Sequence, residues 1–546
     1  MKKLLFTLLF LLFAGTANSQ WVSNYGGDPN RDINIINAKG NAVAADNTGC
    51  VYVTGHTAET TGNDIVVIKY LSNGTVAWAE GYNGTANLDD EGTGICVDIY
   101  GNIYVVGSAQ NTNRGYDVTL LKYNSAGVLQ WARSYYSSAL LREDRGWGIA
   151  VDAPGNIYIT GYTTNTDNQT DIFTSKYDAS GNEIWTVLED GLNNLNSRGV
   201  SIAVSISGNV CVAGFVTVSG TNTDLVTLKY NSAGIQQWMR TENGTGNEED
   251  KAWGIAVDQT DNVYVTGYVT ESSNNTDYYT VKYNSAGVLQ WSRTYNGAGN
   301  SGDKAWGIVV DTDGSIYIAG QSNNATQNTN YVTIKYSGSG TETWVSTYNG
   351  TGNGEDVANA ITLVGTSSVA VTGKSTGATQ TFDYTTVRYN VNTGNQLQVN
   401  RYSFNSQTED VAKDLIFASN KIVVTGYSEL IMESSSNYSY ITTMAIDGGS
   451  ELITTNNTPQ SYSLYQNYPN PFNPSTKIKF DIQKSGNVKL AVYDVMGKEV
   501  DVLVNQNLET GSYDISFSSK EMASGIYFYE LSVNGYREIK KMTLIK

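Results

Sequence analysis

Gly155-Asn-Ile-Tyr-Ile-Thr-Gly161 decides the fold, because versions of its last five residues recur along most of the chain. They are Val51-Tyr-Val-Thr-Gly55, Ile103-Tyr-Val-Val-Gly107, Val210-Cys-Val-Ala-Gly214, Val263-Tyr-Val-Thr-Gly267, Ile316-Tyr-Ile-Ala-Gly320, Val369-Ala-Val-Thr-Gly373 and Ile422-Val-Val-Thr-Gly426. Successive glycines lie 52, 54, 53, 53, 53, 53 and 53 residues apart. Two further markers keep the same step. One is Lys69, Lys122, Lys176, Lys229, Lys282, Lys335 and Arg388; the other is Trp78, Trp131, Trp185, Trp238, Trp291 and Trp344. Self-similarity at a fixed period of this size is the signature of a repeat architecture.

Each unit divides into four short segments rich in β-branched and aromatic residues. In the fifth they are Trp253–Asp258, Val263–Tyr268, Tyr278–Tyr283 and Val288–Tyr295. Turn residues separate the members of each pair, and helical periodicity is absent. One four-stranded sheet of this length cannot cover both of its faces, whereas neighbouring sheets cover each other. The expectation is therefore an all-β chain built as a β-propeller of eight four-stranded blades. Small residues such as Gly254 and Ala256 suit the crowded strand nearest the hub. Trp21-Val-Ser-Asn-Tyr-Gly-Gly27 has the pattern of a fourth strand, and the last unit supplies only three. Pairing of these two ends would close the ring and leave no open sheet edge.

The ends differ from the repeats. Lys2 and Lys3 precede an apolar run from Leu4 to Ala14, and Ala17 and Ser19 stand at −3 and −1 of a cleavage site before Gln20. The run is too short to span a bilayer, so residues 1–19 are expected to be a signal peptide, with no transmembrane segment elsewhere. The propeller is expected over 20–446, closed by the strand 21–27. A polar linker is expected at 447–463, and a small Ig-like β-sandwich at 464–546. Segments 476–482, 488–494, 511–517, 525–533 and 537–544 alternate as sandwich strands do.

The net charge is −18, and residues 21–474 carry 22 basic against 43 acidic side chains. Such a surface repels phosphate, which argues against nucleic acid as a partner. Three cysteines (Cys50, Cys96, Cys211) make no disulfide framework. One histidine, His56, excludes multi-histidine metal sites. Asp258-Gln-Thr-Asp-Asn262 and Asp311-Thr-Asp-Gly314 lack the ligand series of a calcium loop and read as hairpin turns. No cofactor or metal is expected, and no nucleophile elbow or phosphate loop occurs.

The glycine-ended segments resemble a bacterial repeat family named for seven-bladed propellers. The resemblance covers about 40–446 and implies a propeller; seven blades is the alternative to the eight counted here. Four blocks at the C-terminus are Tyr468-Pro-Asn-Pro-Phe-Asn-Pro-Ser-Thr476, Val492-Tyr-Asp-Val-Met-Gly-Lys-Glu499, Met522-Ala-Ser-Gly-Ile-Tyr527 and Lys540-Lys-Met-Thr-Leu-Ile-Lys546. They resemble the type A sorting domain of the type IX secretion system. That resemblance implies a Gram-negative cell, engagement of the type IX machinery, transfer across the outer membrane, and release or surface attachment.

Longer connections fall on one face of the expected propeller, where such folds carry function. An aspartate recurs before the first strand of most units, at Asp90, Asp144, Asp250, Asp303, Asp356 and Asp410; Trp147, Trp253 and Trp306 follow three of them. The candidate ligand surface is therefore Trp147, Trp253 and Trp306 with Asp144, Asp250 and Asp303, facing a glycan or a protein. A structural role for these residues, as turn caps and interblade packing, stands beside that reading. The expected function is a secreted or surface-borne, non-catalytic binding protein. Two alternatives remain: a carbohydrate-active enzyme using propeller carboxylates, and an envelope component without a discrete ligand.

Overall fold

The computed structural model describes residues 19–545 apart from 27–36, 59–61, 113–114, 138–141, 192–193, 220–221, 272–274, 301, 327, 431–437, 448–451, 456–458, 460, 474, 509 and 519–521. Residues 1–18, the bulk of the expected signal peptide, lie outside that set.

The chain is all-β, and its repeats form eight four-stranded antiparallel sheets arranged as propeller blades. Seven take their strands consecutively; blade 5, for example, is Lys251–Val257, Val263–Thr270, Thr276–Tyr283 and Leu289–Tyr295. Blade 8 combines Thr408–Ala418, Lys421–Leu430 and Tyr438–Asp447 with Ser19–Tyr25 as its outermost strand. There Trp21 lies opposite Ala445 and Tyr25 opposite Ile441.

The two middle strands of a blade are buried on both faces, as in Ile157–Thr164 and Thr170–Tyr177, because each is flanked by strands and covered by adjacent blades. The core accordingly divides into eight clusters, one per seam between blades, plus one in the C-terminal module. The cluster joining blades 1 and 2, for instance, packs Tyr52 and Val67 against Ile95, Ile103 and Leu121.

The recurring Lys and Trp form a latch across these seams. Trp78 Nε1 and Lys69 Nζ both donate to the Ser125 carbonyl in the outer hairpin of the next blade, at 3.2 and 2.9 Å. The indole lies on that hairpin's glycine: a Cβ at Gly127, whose φ is +85°, would stand 2.8 Å from the Trp78 ring. The same indole-to-carbonyl bond recurs from Trp131, Trp185, Trp238, Trp291 and Trp344. At the closing seam Trp21 and Lys421 repeat it on the Ser72 carbonyl. The seam between blades 7 and 8 departs from the pattern, because Gln398 lies opposite Arg388 where the other blades place tryptophan.

The C-terminal module is a sandwich of two four-stranded sheets. One holds Leu452–Thr455, Gly511–Ser518, Ser475–Ile482 and Ser463–Leu464; the other holds Glu499–Leu508, Gly486–Tyr493, Gly525–Val533 and Tyr536–Leu544. Phe480, Leu490, Tyr529 and Met542 are buried between them. Leu452–Thr455 falls inside the stretch expected to be a linker. It pairs with Ser512–Ile515, because its Leu-Ile-Thr-Thr sequence is β-branched enough to extend a sheet edge.

Candidate functional site

The repeat glycine explains how the channel is lined. In every blade the innermost strand carries a β-bulge opposite that glycine. A bulge inserts one unpaired residue and re-aims its side chain. The kinked backbone drives a carbonyl toward the neighbouring strand. A Cβ at Gly161 would stand 1.9 Å from the Arg145 oxygen, and one at Gly267 would stand 1.9 Å from that of Lys251. No side chain fits there, so glycine recurs at the position.

The bulged residues are Asn41, Thr93, Trp147, Val200, Trp253, Trp306, Asn359 and Lys413, one per blade. The residue before each is a buried glycine or alanine, packed toward the previous blade. The bulged residues themselves are half-buried, and Lys413 is exposed. They form a ring of differing side chains on a uniform scaffold. Its two halves differ in kind. Blades 3 to 6 contribute an apolar arc, in which Trp147 meets Tyr162 edge-on at 5.4 Å and Trp253 meets Trp306 at 5.0 Å. Blades 7, 8, 1 and 2 contribute a polar arc. There Asn41 Nδ2 donates to the Gly92 carbonyl at 2.9 Å, Thr93 Oγ1 to Gly146 at 2.7 Å, and Asn359 Nδ2 to Ala412 at 2.7 Å. Each of these bonds reaches the residue just before the next blade's bulge.

The three tryptophans named from sequence therefore stand on one arc of one ring. The three aspartates do not join them. Asp144, Asp250 and Asp303 are buried at 2%, 0% and 0% exposure. Asp144 accepts from the Ser137 and Thr164 amides, both at 2.7 Å. Asp250 accepts from Gly244 and Thr270, at 2.6 and 2.5 Å, and Asp303 from Gly297 and Asn323, at 2.5 and 3.0 Å. Each carboxylate thus staples the link between blades to the long loop of its own blade. The placement of these three aspartates on the candidate ligand surface is corrected: their oxygens are held by backbone N–H donors that would otherwise be unpaired. Burial raises all three carboxyl pKa values, and Asp250 is pushed up to about 6.

The residue after the aspartate position is basic in five blades, and each of these five stacks on an aromatic ring of the preceding blade. Lys39 lies over Tyr427 at 4.4 Å, Arg145 over Tyr116 at 3.4 Å and Arg198 over Tyr162 at 4.4 Å. Lys251 lies over Phe215 at 4.8 Å and Lys304 over Tyr268 at 4.6 Å. Such pairs fill the seams and tie blades together. Between blades 7 and 8 the pattern inverts. Val411 stands where five other blades place a long cation, as Val357 does in blade 7, and Lys374 takes the aromatic position. The seam is left unfilled, and a hollow of about 290 Å³ opens there, lined by Asn359, Lys374, Phe382, Glu409, Val411, Lys413, Tyr427 and Glu429. The sequence signal for this site was the register itself: aligning the third residue after each aspartate isolates the ring, and Lys413 in it.

A second hollow, of about 300 Å³, lies at the opposite end among the hairpin turns of blades 5 to 7. Its Asp258 accepts from the Thr260 and Asn262 amides and the Tyr264 hydroxyl, which makes it a turn cap. Among the described residues no cluster of three or more His, Cys, Asp or Glu is placed to hold a metal. His56 approaches Glu91 at 3.8 Å, and the three cysteines are free. Among the described residues no helix is long and apolar enough to cross a membrane.

Blades, bulge ring and C-terminal sandwich define the class: a β-propeller repeat protein that carries a secretion sorting module. Residues 466–546 match the family described as the secretion system C-terminal sorting domain, and 138–167, in blade 3, match the β-propeller repeat. Among curated proteins the chain is similar to the regulatory protein FlaEY of Caulobacter vibrioides, with 31% identity over 112 residues. This match covers 18% of this chain and 11% of that protein. It is also similar to an uncharacterized WD repeat-containing protein, L264, of Acanthamoeba polyphaga mimivirus, with 26% identity over 213 residues, covering 30% and 15%. The chain thus spans well under a fifth of either relative. Among solved structures, PorZ, a surface component of the type IX secretion system of Porphyromonas gingivalis, overlaps at a TM-score of 0.33 with 10% identity, covering 93% of this chain and 81% of that one. A subtype N11 neuraminidase-like protein of influenza A/flat-faced bat/Peru/033/2010 overlaps at 0.34 with 9% identity, covering 80% and 97%. Overlaps this loose carry nothing about function.

Proposed function

We propose that this is an exported, surface-borne or secreted binding protein that takes a glycan on the bulge-ring end of its propeller and does no chemistry on it. The sorting module supports export through the type IX machinery of a Gram-negative cell. The observation that carries the binding reading is the two-faced ring. An apolar arc of three accessible indoles faces a polar arc of amide, hydroxyl and ammonium groups. A sugar is two-faced in the same way: its C–H face stacks on aromatic rings while its hydroxyls need donors and acceptors. The Trp253 Nε1 is enclosed and has no hydrogen-bond partner among the described residues. The non-catalytic reading draws on the aspartate staples, whose oxygens are held by backbone N–H groups.

The test is a glycan-array screen of the mature protein, followed by titration of the best ligand into Trp253→Ala. Binding should fall at least tenfold, while the stability read from the urea midpoint should fall by no more than about half of the ~3–5 kcal/mol that truncating a core tryptophan costs, because the indole is half-buried. A large drop in midpoint would mean that the indoles are core, and the site would be abandoned. One feature favours the enzyme alternative: Glu409 and Glu429 face each other across paired strands and line the same hollow. Release of reducing ends from the bound glycan, abolished in Glu409→Gln, would establish that alternative instead.

A further inference from the structure

We infer that the hollow between blades 7 and 8 is a subsite for the carboxylate of an acidic sugar, with Lys413 as its counter-ion. The inference rests on the glycan-binding reading above and specifies the charge of the sugar.

Lys413 is the one cation of the bulge ring, and no carboxylate forms an ion pair with it among the described residues. Its neighbours are engaged. Lys39 pairs with Glu429 at 2.9 Å and Lys374 with Glu355 at 2.9 Å, while Glu409 accepts from the Phe382 amide at 2.8 Å. The two glutamates that line the hollow are thus already held at its wall. Lys413 stands over the Tyr427 ring at 5.7 Å, and Lys39 over the same ring at 4.4 Å. Two ammonium groups therefore share one ring where the repeat elsewhere places one cation on one aromatic, and Lys374 lines the same hollow. Enclosure by protein lowers the Lys413 pKa first, and Lys39 and Lys374 lower it further, against a smaller opposite pull from Glu91. An exposed lysine held among like charges is stabilised by an anion, which relieves the repulsion and forms charge-assisted hydrogen bonds.

The remaining walls suit a sugar better than a free inorganic ion. Phe382 and Tyr427 offer aromatic surface, and Asn359 offers its amide oxygen, since its Nδ2 is committed to Ala412. The volume of about 290 Å³ sits at the small end of ligand sites and limits the occupant to one or two rings. The hollow lies on the polar arc, next in ring order to the blade that carries Trp306, so the carboxylate would anchor one end of a chain whose neutral rings lie on the tryptophans.

The experiment titrates glucuronate and galacturonate oligosaccharides of two to four units, and their neutral glucose and galactose counterparts, into the mature protein and two variants. Acidic oligosaccharides should bind at least tenfold more tightly than neutral ones, and less so at high salt. Lys413→Met should abolish that preference, and Lys413→Arg should keep it. The Met variant removes a disfavoured charge, so its thermal midpoint should not fall. Equal binding of acidic and neutral sugars, or a preference that survives in Lys413→Met, overturns the inference and leaves glycan binding at the ring intact. Binding of neither class, with other glycans also failing, removes both. Displacement of the acidic sugar by millimolar sulfate or acetate alone, with no contribution from the sugar rings, would mean a simple anion site and also overturn it.

Discussion

Replacing Trp21 by alanine should loosen the propeller at its closing strand and leave the other blades untouched. Ser19–Tyr25 completes blade 8 by pairing with Tyr438–Asp447, and nothing covalent joins those two strands directly. Trp21 holds the closing strand to blade 1. Its ring stacks on Tyr70 at 5.9 Å with 25° between planes, and its Nε1 donates to the Ser72 carbonyl at 3.0 Å. It also covers Gly74, where a Cβ would stand 2.4 Å from the indole. A fully buried tryptophan costs ~3–5 kcal/mol on truncation, and Trp21 is half-buried, so packing accounts for about half of that. With roughly 1 kcal/mol for the hydrogen bond, the loss comes to about 2.5–3.5 kcal/mol. If that loss appears as local opening, exchange of the amides in 438–447 should quicken about 60- to 300-fold, since ~1.4 kcal/mol is a factor of ten. Hydrogen exchange read by mass spectrometry on peptides from 438–447 measures it, with blade 5 peptides as the internal reference. Trp78→Ala removes the same contacts at an interior seam and should leave 438–447 unchanged. Unchanged protection of 438–447 in Trp21→Ala, or loss spread evenly over all blades, would refute the claim that this strand is the weak point of closure.

Two more outcomes are expected. Asp410 accepts from the Phe404 amide and the Thr408 hydroxyl, and burial pushes its pKa up to about 6. The folded state therefore keeps the proton between pH 4 and 6 while the unfolded chain has released it, so stability falls as pH rises through that window. Asp410→Asn should remove this fall, gaining up to about 3 kcal/mol over the parent at pH 7 and little at pH 4; parallel pH profiles of the denaturant midpoint would contradict it. Deleting 466–546, the segment that matches the sorting family, should strand the propeller in the periplasm, and the same protein at the cell surface or in the medium would count against export by that tail.

What could be read in advance depended on whether a residue's role repeats. Gly161, Trp131 and Lys122 do one job in blade after blade, so their spacing alone exposed the architecture. Even so, their reasons were hidden: nothing in the order of residues says that the glycine yields to a bulge carbonyl, or that Trp and Lys share one acceptor across a seam. The aspartate recurs in six of the eight blades, with Ala38 and Ser197 in its place in the other two, and Asp144, Asp250 and Asp303, nominated for the ligand surface, hold backbone amides instead; a recurring role belongs to the scaffold, whereas a ligand needs contacts that differ around the ring. The informative positions for binding are those where the scaffold is constant and the side chain is not. The bulge ring is such a set, running from Asn41 through Trp253 to Lys413 on one backbone geometry. The seam between blades 7 and 8 is another, for there Val411, Lys374 and Gln398 all break the pattern at once. Three departures at one seam leave the scaffold unlatched on one side and unfilled on the other. At that seam stands Lys413, an exposed lysine with no ion pair among the described residues.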